Sequence, residues 1–356
     1  MSRHVLHQLI TGATTGDAIT EQALLMRGWL RDLGFHSDIY AWHIHPSMEM
    51  EVRPLAAYRR ARQEEWAIYR HSIGSEVPDF LSAQSLRLIL IYHNITPAEY
   101  FEGTDPMRAR MARLGQTQLH AIRPQTGIAL ADSPYNAAEL TGVGYRDVEI
   151  MPICLPAERY DVSVNPALAE TLADHPDLLL FIGRLAPNKR QEDLVRLLYC
   201  LRRIRPQARL YLVGDRWDIG YDTWIEELAG QLDLDDGVVL TGKISHRDMI
   251  TYLKSAGCYV SMSEHEGFGV PLIESMVLGL PVLAYGAAAV PDTMGNAGVL
   301  FYRKAYEPLA ELIDLILTDQ PLRERIIAQQ YKRAQAFSEP LIRDQFEGYL
   351  AKAGLC

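Results

Sequence analysis

The sequence has few cysteines, no excess of positive charge and no long apolar run, and each absence excludes a class of protein. Its four cysteines lie far apart, so none forms the close pair that a zinc or redox motif requires. The first residues carry charge and hydroxyl groups where a secretory signal would be apolar, and no stretch approaches the roughly 20 apolar residues that cross a bilayer. We therefore expect reduced thiols in a cytoplasmic protein that is not integral to a membrane.

Acidic residues outnumber basic ones, and the formal net charge is −10. A chain of this charge has no global field to attract a polyanion, so nucleic acid is not an expected partner. Neither a G-x-S-x-G nucleophile elbow nor a Walker loop occurs, which argues against common hydrolases and P-loop NTPases. His43 and His45 are neighbours, but no carboxylate or thiol accompanies them at metal-ligand spacing, so we expect no metal site.

The chain is long enough for two domains, with 356 residues of which 48% are apolar and 22% charged. Short apolar runs alternate with amphipathic stretches, as in α/β units with parallel strands. A polar, proline-bearing stretch at residues 152–166 interrupts this alternation and is the predicted linker. We predict two Rossmann-like domains, residues 1–160 and 161–338, facing across a cleft with ligands at the carboxyl ends of the strands.

The sequence predicts three helices whose place or role in the protein needs separate mention. A polar stretch of mixed charge predicts a helix over residues 53–71. A helix over residues 105–120 carries Arg108, Arg110 and Arg113, which form either a solvated face or a basic contact with a phosphate-bearing acceptor or an anionic membrane. The last amphipathic helix, residues 339–352, either caps the second domain or packs back on the first, which would then include residues 339–356.

A predicted strand at residues 178–182 runs directly into the sequence GRLAPNK, residues 183–189. Arg184 and Lys189 are therefore two cations at the mouth of a strand. The planar fork of Arg and the mobile ammonium of Lys together suit a diphosphate and can offset charge on a leaving phosphate. Such a pair in a loop is otherwise often solvent-facing.

The sequence EGFGVPLIE, residues 266–274, follows a buried strand and begins a helix. Its glycines let the backbone approach a ligand, and Pro271 suits the first turn of a helix. The free amides of Gly269, Val270 and Leu272 are predicted to receive a diphosphate, aided by the helix dipole. Glu266 and Glu274 either accept hydrogen bonds from sugar and ribose hydroxyls or are an ordinary loop charge and an exposed helix residue.

With these motifs the chain resembles the retaining GT-B glycosyltransferases of family 4, which use nucleotide sugars. The resemblance depends on GRLAPNK at 183–189, LVGD at 212–215, TGKIS at 241–245 and above all EGFGVPLIE at 266–274, whose glutamates have seven residues between them. It covers nearly the whole second domain. The first domain matches more loosely, through its glycine loop and the His-Asn turn at residues 93–94.

The resemblance implies a role for each matching position. In the second domain Arg184 and Lys189 would hold the donor diphosphate, Glu274 the ribose and Glu266 the hydroxyls of the transferred sugar. The remaining donor contacts would come from Lys243 and Ile244 at the base and from Gly267, Phe268, Gly269, Val270 and Leu272.

The first domain is expected to contribute two residues. His93 would lie beside the donor sugar, unless it is a structural residue of the strand end. Gly16 would belong to the loop over the phosphates, although the doubled glycine common in the family is here Gly16-Asp17, so Asp17 instead points to the acceptor.

The resemblance also implies the activity. We expect a metal-independent enzyme without a cofactor that moves a hexose from a nucleoside diphosphate sugar to a hydroxyl of a glycan or lipid-linked glycan, retaining the anomeric configuration. The expected setting is polysaccharide or glycolipid assembly, in the cytoplasm or peripherally at the inner face of a membrane. The alternatives are a GT-B-fold epimerase or phosphorylase, and a sugar-nucleotide-binding or scaffold subunit without turnover.

Overall fold

The computed structural model describes residues 4–60, 65–216 and 220–355, and the chain separates into two compact units. The first unit is Met1–Cys154 with Glu339–Cys356, and the second is Leu155–Ser338. Residues 155–160, which the sequence assigned to the first domain, belong to the second unit. The C-terminal helix, Glu339–Lys352, belongs to the first.

The first unit is built on a seven-stranded sheet in which all neighbouring strands are parallel. Its strands are β1 (His7–Ala13), β2 (Ile39–Ile44), β3 (Arg53–Pro54), β4 (Trp66–His71), β5 (Arg87–Tyr92), β6 (Thr126–Ala131) and β7 (Glu149–Ile150). Their spatial order is β3-β2-β1-β4-β5-β6-β7, so the order reverses between β1 and β4. In open parallel sheets, ligands bind at the carboxyl ends of the strands near such a reversal.

In the described residues, four α-helices connect these strands, namely α1 (Ala18–Asp32), α2 (Val77–Ser82), α3 (Pro106–Ile122) and α4 (Pro134–Val143). The C-terminal helix packs on this sheet, because Ile342, Phe346 and Leu350 are buried in one hydrophobic cluster with Ile68 of β4 and Trp29 of α1. The Trp29 indole also donates a hydrogen bond to Glu339, at 2.7 Å. The last helix therefore completes the core of the first unit.

The predicted helix over residues 53–71 is wrong in the part that the structure describes. Residues 53–54 are β3, and Trp66–His71 is β4, a central strand buried along its whole length. Residues 61–64 lie outside the described residues. Arg70 and His71 made this segment look polar and exposed, yet Arg70 is 2% exposed and His71 fully buried. Both side chains are buried with hydrogen-bond partners that come from distant segments.

The second unit is built on a six-stranded parallel sheet. Its strands are β8 (Leu178–Ile182), β9 (Arg209–Val213), β10 (Val238–Gly242), β11 (Cys258–Ser261), β12 (Val282–Tyr285) and β13 (Val299–Phe301). The spatial order β10-β9-β8-β11-β12-β13 reverses between β8 and β11. Both units thus have the Rossmann strand order, and the predicted pair of Rossmann-like domains is confirmed.

The helices of the second unit are α5 (Pro166–Ala173), α6 (Gln191–Arg202), α7 (Tyr221–Gln231), α8 (His246–Ser255), α9 (Val270–Val277), α10 (Val290–Met294), α11 (Tyr306–Thr318) and α12 (Gln320–Ala334). Central strands β8 and β11 are almost wholly apolar and buried, as expected for strands covered by helices on both faces. Across the described ranges, no helix combines the length and apolarity needed to cross a bilayer.

Candidate functional site

The candidate site lies at the point where the strand order of the second unit reverses. The loop after β8 carries Arg184 and Lys189, and the loop after the neighbouring strand β11 carries Glu266. The Lys189 Nζ lies 2.5 Å from the Glu266 Oε2, and these side chains are 21% and 15% exposed. Arg184 is exposed. The structure thus brings a cation and a carboxylate from distant segments into contact at the edge where this fold binds ligands.

Asn188 joins the two loops, a role that the sequence analysis missed. Its side-chain amide donates a hydrogen bond to the backbone carbonyl of His265 at 3.1 Å. Its backbone carbonyl accepts a hydrogen bond from the backbone amide of Glu264 at 2.9 Å. Asn188 is 4% exposed. Because both bonds connect segments more than seventy residues apart, they position Lys189 and Glu266 relative to each other.

Close backbone contact also shapes the loop after β8. A Cβ on Gly214, at the end of β9, would lie 2.2 Å from the Gly183 carbonyl oxygen, and Gly214 has a φ of +151°. Only glycine fits this approach. The glycine of the LVGD motif therefore lets the ends of β8 and β9 meet beside the loop that holds Arg184.

Helix α9 begins at the carboxyl end of β11, with Gly269 as its N-cap in the left-handed conformation. The Leu272 amide donates to the Gly269 carbonyl at 3.0 Å, so the prediction of a free Leu272 amide is wrong. Within the described part of the chain, the amides of Gly269 and Val270 donate no hydrogen bond. The Phe268 ring is buried edge-to-face against Phe337, so this side chain packs in the core.

Glu274 lies within α9 and is 3% exposed, which rules out an exposed helix residue. Its Oε1 accepts a hydrogen bond from the Tyr160 hydroxyl at 3.4 Å and lies 3.5 Å from the Arg159 Nε. Burial raises the pKa of this carboxyl above its ordinary value, and Arg159 partly opposes that shift. The sequence analysis treated Arg159 and Tyr160 as linker, and a proline-rich polar stretch carries no signal of such a contact.

The predicted base-pocket residues follow β10. Lys243 is exposed and Ile244 half-buried, directly before Ser245, whose side chain caps α8. The first turn of α8 also contacts the segment around Arg159, because the His246 Nε2 lies within hydrogen-bond distance of the Arg159 backbone carbonyl, at 2.8 Å. The segments that carry Lys243 and Glu274 are thereby linked.

Arg190 and Asp193, which follow Lys189 in the chain, form a charge cluster with Glu264 and Lys304 that was not predicted. Lys304 donates hydrogen bonds to Asp193 and Glu264, each at 2.8 Å, and Arg190 lies 3.2 Å from Glu264. Burial alone raises the pKa of Asp193, but hydrogen bonds from Lys304 and Tyr306 outweigh it, so the pKa is lowered. The cluster connects the start of α6 with the loop that contains Glu266.

Three predicted residues, Gly16, Asp17 and His93, belong to the first unit. Gly16 is exposed in the turn between β1 and α1, with a φ of +80°. Asp17 is the N-cap of α1 and accepts hydrogen bonds from the Thr20 amide and hydroxyl at 2.9 Å each, while its contact with an acceptor stays a prediction. His93 follows β5, and its side chain is 3% exposed. Both of its ring nitrogens have partners, Asp132 and Arg70.

The arginines of α3 have different surroundings. Arg108 lies 3.5 Å from Asp105, and Arg113 pairs with Glu102 at 2.6 Å. Arg110 is exposed. Acidic neighbours therefore offset much of the positive charge on this helix.

Comparisons show that the chain is similar to known glycosyltransferases. The family model "Glycosyl transferases group 1" matches residues 169–333. A D-inositol 3-phosphate glycosyltransferase of Stackebrandtia nassauensis is 27% identical over 175 residues, 47% of this chain and 40% of that protein. An O-antigen chain mannosyltransferase B of Escherichia coli is 23% identical over 298 residues, 80% of this chain and 76% of that protein.

The whole fold also has solved counterparts. The structure of Anabaena Alr3699/HepE in complex with UDP and glucose superposes with a TM-score of 0.75 at 17% identity, covering 98% of this chain and 100% of that one. At this identity the likeness concerns the fold alone. Some curated relatives are matched over only part of their length, and the alignment with the inositol phosphate enzyme spans about two fifths of it.

Proposed function

We propose, from the premise that residues 169–333 are a domain of the glycosyl transferases group 1 family, that this protein transfers a hexose from a nucleoside diphosphate sugar to a hydroxyl acceptor with retention at the anomeric carbon. The observation that carries the proposal is the contact between Lys189 and Glu266 at the reversal of the second sheet. This contact combines a phosphate-binding cation with a carboxylate that suits sugar hydroxyls.

The donor diphosphate would bind where α9 begins. The amides of Gly269 and Val270 point from the positive end of the helix dipole, and Lys189 and Arg184 supply the positive charge. These groups meet the negative charge that grows on the leaving diphosphate as the donor sugar becomes oxocarbenium-like. The absence of a metal or cofactor requirement stays a prediction.

The two glutamates would act at different ends of the donor. Glu266 would accept hydrogen bonds from hydroxyls of the sugar. When the donor binds, the Lys189 ammonium would have to contact both the Glu266 carboxylate and the phosphate. Glu274 would accept from the ribose. Because Glu274 is buried beside Tyr160 and Arg159, this acceptor is held in place before the nucleotide arrives.

The reaction then needs no carboxylate nucleophile. The acceptor oxygen attacks the anomeric carbon on the face from which the phosphate departs, the bond from that carbon to the phosphate oxygen breaks, and the acceptor proton passes to the leaving phosphate. We propose a glycan or lipid-linked glycan as acceptor, in polysaccharide or glycolipid assembly, because the relatives include an O-antigen chain enzyme. The cytoplasmic setting and a peripheral membrane contact through Arg110 are part of this proposal.

The test is a thermal-shift screen with UDP-, GDP-, ADP- and dTDP-sugars, followed by an assay for nucleotide release. A donor present at a hundred times its dissociation constant should stabilise the protein by about 2.7 kcal/mol. Lys189→Met should lose most of this shift, whereas the control Arg203→Met, at an exposed cation directly after α6, should keep it.

The outcomes separate transferase from binder. Release of nucleotide and free sugar, increased by a suitable acceptor and giving an α-linked product by NMR, supports the proposal. A thermal shift without any release would indicate a binding or scaffold subunit. If none of the four donors stabilises the protein, the donor assignment is wrong.

A further inference from the structure

Three polar side chains meet at the carboxyl edge of the first sheet. Arg70 is the penultimate residue of β4, His93 directly follows β5, and Asp132 directly follows β6. These three strands are adjacent in the sheet. The His93 Nδ1 lies 2.8 Å from the Asp132 Oδ2, and its Nε2 lies 3.2 Å from the Arg70 Nη1. A single imidazole therefore bridges a cation and a carboxylate.

The chemistry of the partners determines the protonation of the imidazole. A guanidinium has only donors, so the His93 Nε2 has to accept and cannot carry a proton. The remaining ring proton then lies on Nδ1 and is donated to Asp132, an acceptor. We propose that Arg70 and Asp132 are positioning residues that hold His93 as the neutral Nδ1–H tautomer, and that Arg70 excludes it from proton transfer by occupying the Nε2 lone pair.

Burial makes this arrangement rigid. The side chains of His93 and Asp132 are 3% and 2% exposed, and Arg70 is 2% exposed. Gln8 of β1 accepts from the Arg70 Nε and Nη2 at 3.4 and 3.3 Å, and donates to the Ala23 carbonyl at 2.8 Å. Rotation of the guanidinium away from His93 would break these bonds in a place that water does not reach.

An Nε2 proton does not fit this arrangement. It would remove the acceptor that Arg70 uses, and the guanidinium offers no acceptor to receive it. Burial lowers the pKa of Arg70 to about 10, which leaves it charged near neutral pH. The imidazole of His71, the next residue after Arg70, is neutral near neutral pH, since burial lowers its pKa to about 4.

This inference rests on the proposed function for its consequence. If the chain is a transferase, His93 is excluded as the base for the acceptor hydroxyl, and the proton has to leave with the departing phosphate. The tautomer itself is a property of the protein without ligand. Its measurement therefore succeeds or fails independently of the transferase proposal.

The experiment is a long-range ¹H–¹⁵N correlation spectrum of the full chain labelled at histidine, recorded near neutral pH. The His93 signals are those lost in His93→Gln. We expect a protonated, pyrrole-type Nδ1 and an unprotonated, pyridine-type Nε2. A protonated Nε2, in either the neutral or the doubly protonated ring, overturns the proposal.

A matched pair of variants tests the role of Arg70. Arg70→Lys keeps a donor-only cation and should preserve the wild-type pattern, whereas Arg70→Glu offers carboxylate acceptors and should move the proton to Nε2. A purely structural role predicts equal spectra for the two folded variants, and that result would refute the assignment. If a variant does not fold, the wild-type spectrum decides alone.

Discussion

The contact between Lys189 and Glu266 yields the sharpest prediction, because it separates catalysis from stability. Lys189→Met removes the cation and leaves Glu266 without its 2.5 Å partner. Exposed pairs contribute about 0–1 kcal/mol, and breaking a buried pair costs about 3–5 kcal/mol. With side chains 21% and 15% exposed, this pair lies between those limits, and we expect a loss of about 1–2 kcal/mol in unfolding free energy.

The effect on turnover should be larger. Removing one preorganised group that stabilises developing negative charge costs about 3–4 kcal/mol in the transition state, or roughly 10²–10³ in kcat. Chemical denaturation and nucleotide release measure the two quantities, with Arg203→Met as the control. The double variant with Glu266→Gln should lose less stability than the sum of the single variants.

Two results would refute this reasoning. Equal turnover in Lys189→Met and Arg203→Met would show that Lys189 does not act on the leaving group. Additive losses of stability in the double variant would show that the ion pair contributes nothing to folding.

Further predictions concern stability. Asp17→Ala should cost about 1 kcal/mol by removing the α1 cap, while Asp17→Asn retains most of it; a selective loss of activity without destabilisation would instead favour an acceptor role. Burial lowers the pKa of His265 from 6.5 to about 4. The stabilising contribution of the neutral ring is therefore full above pH 6.5 and disappears as the pH falls toward 4. His265→Gln should reduce the loss of unfolding free energy over this pH range by up to about 3 kcal/mol, measured by urea titration at each pH. Gly214→Ala should prevent folding of the second unit, because its Cβ would lie 2.2 Å from the Gly183 carbonyl oxygen. Gly28→Ala, with open space around the Cβ, should raise the unfolding free energy by about 1 kcal/mol. Equal soluble yields and melting temperatures for the two variants would contradict both expectations.

Most of the alternation of strands and helices was determined by the sequence alone. Hydrophobic period and turn residues act over a few neighbouring positions, so β8 has the predicted bounds, residues 178–182. The motifs after β8 and β11 are local too. Their order along the chain places them at one sheet edge as soon as the strands are parallel.

Tertiary structure decided what buried polar groups do. Arg70 and His71 resemble an exposed stretch in sequence, yet partners from distant segments make their burial in β4 possible. The contacts of Glu274 with Tyr160, and of His93 with Asp132, join positions 114 and 39 residues apart. A polar side chain is buried only where its hydrogen bonds are satisfied, and the chain's three-dimensional path determines which partner satisfies them.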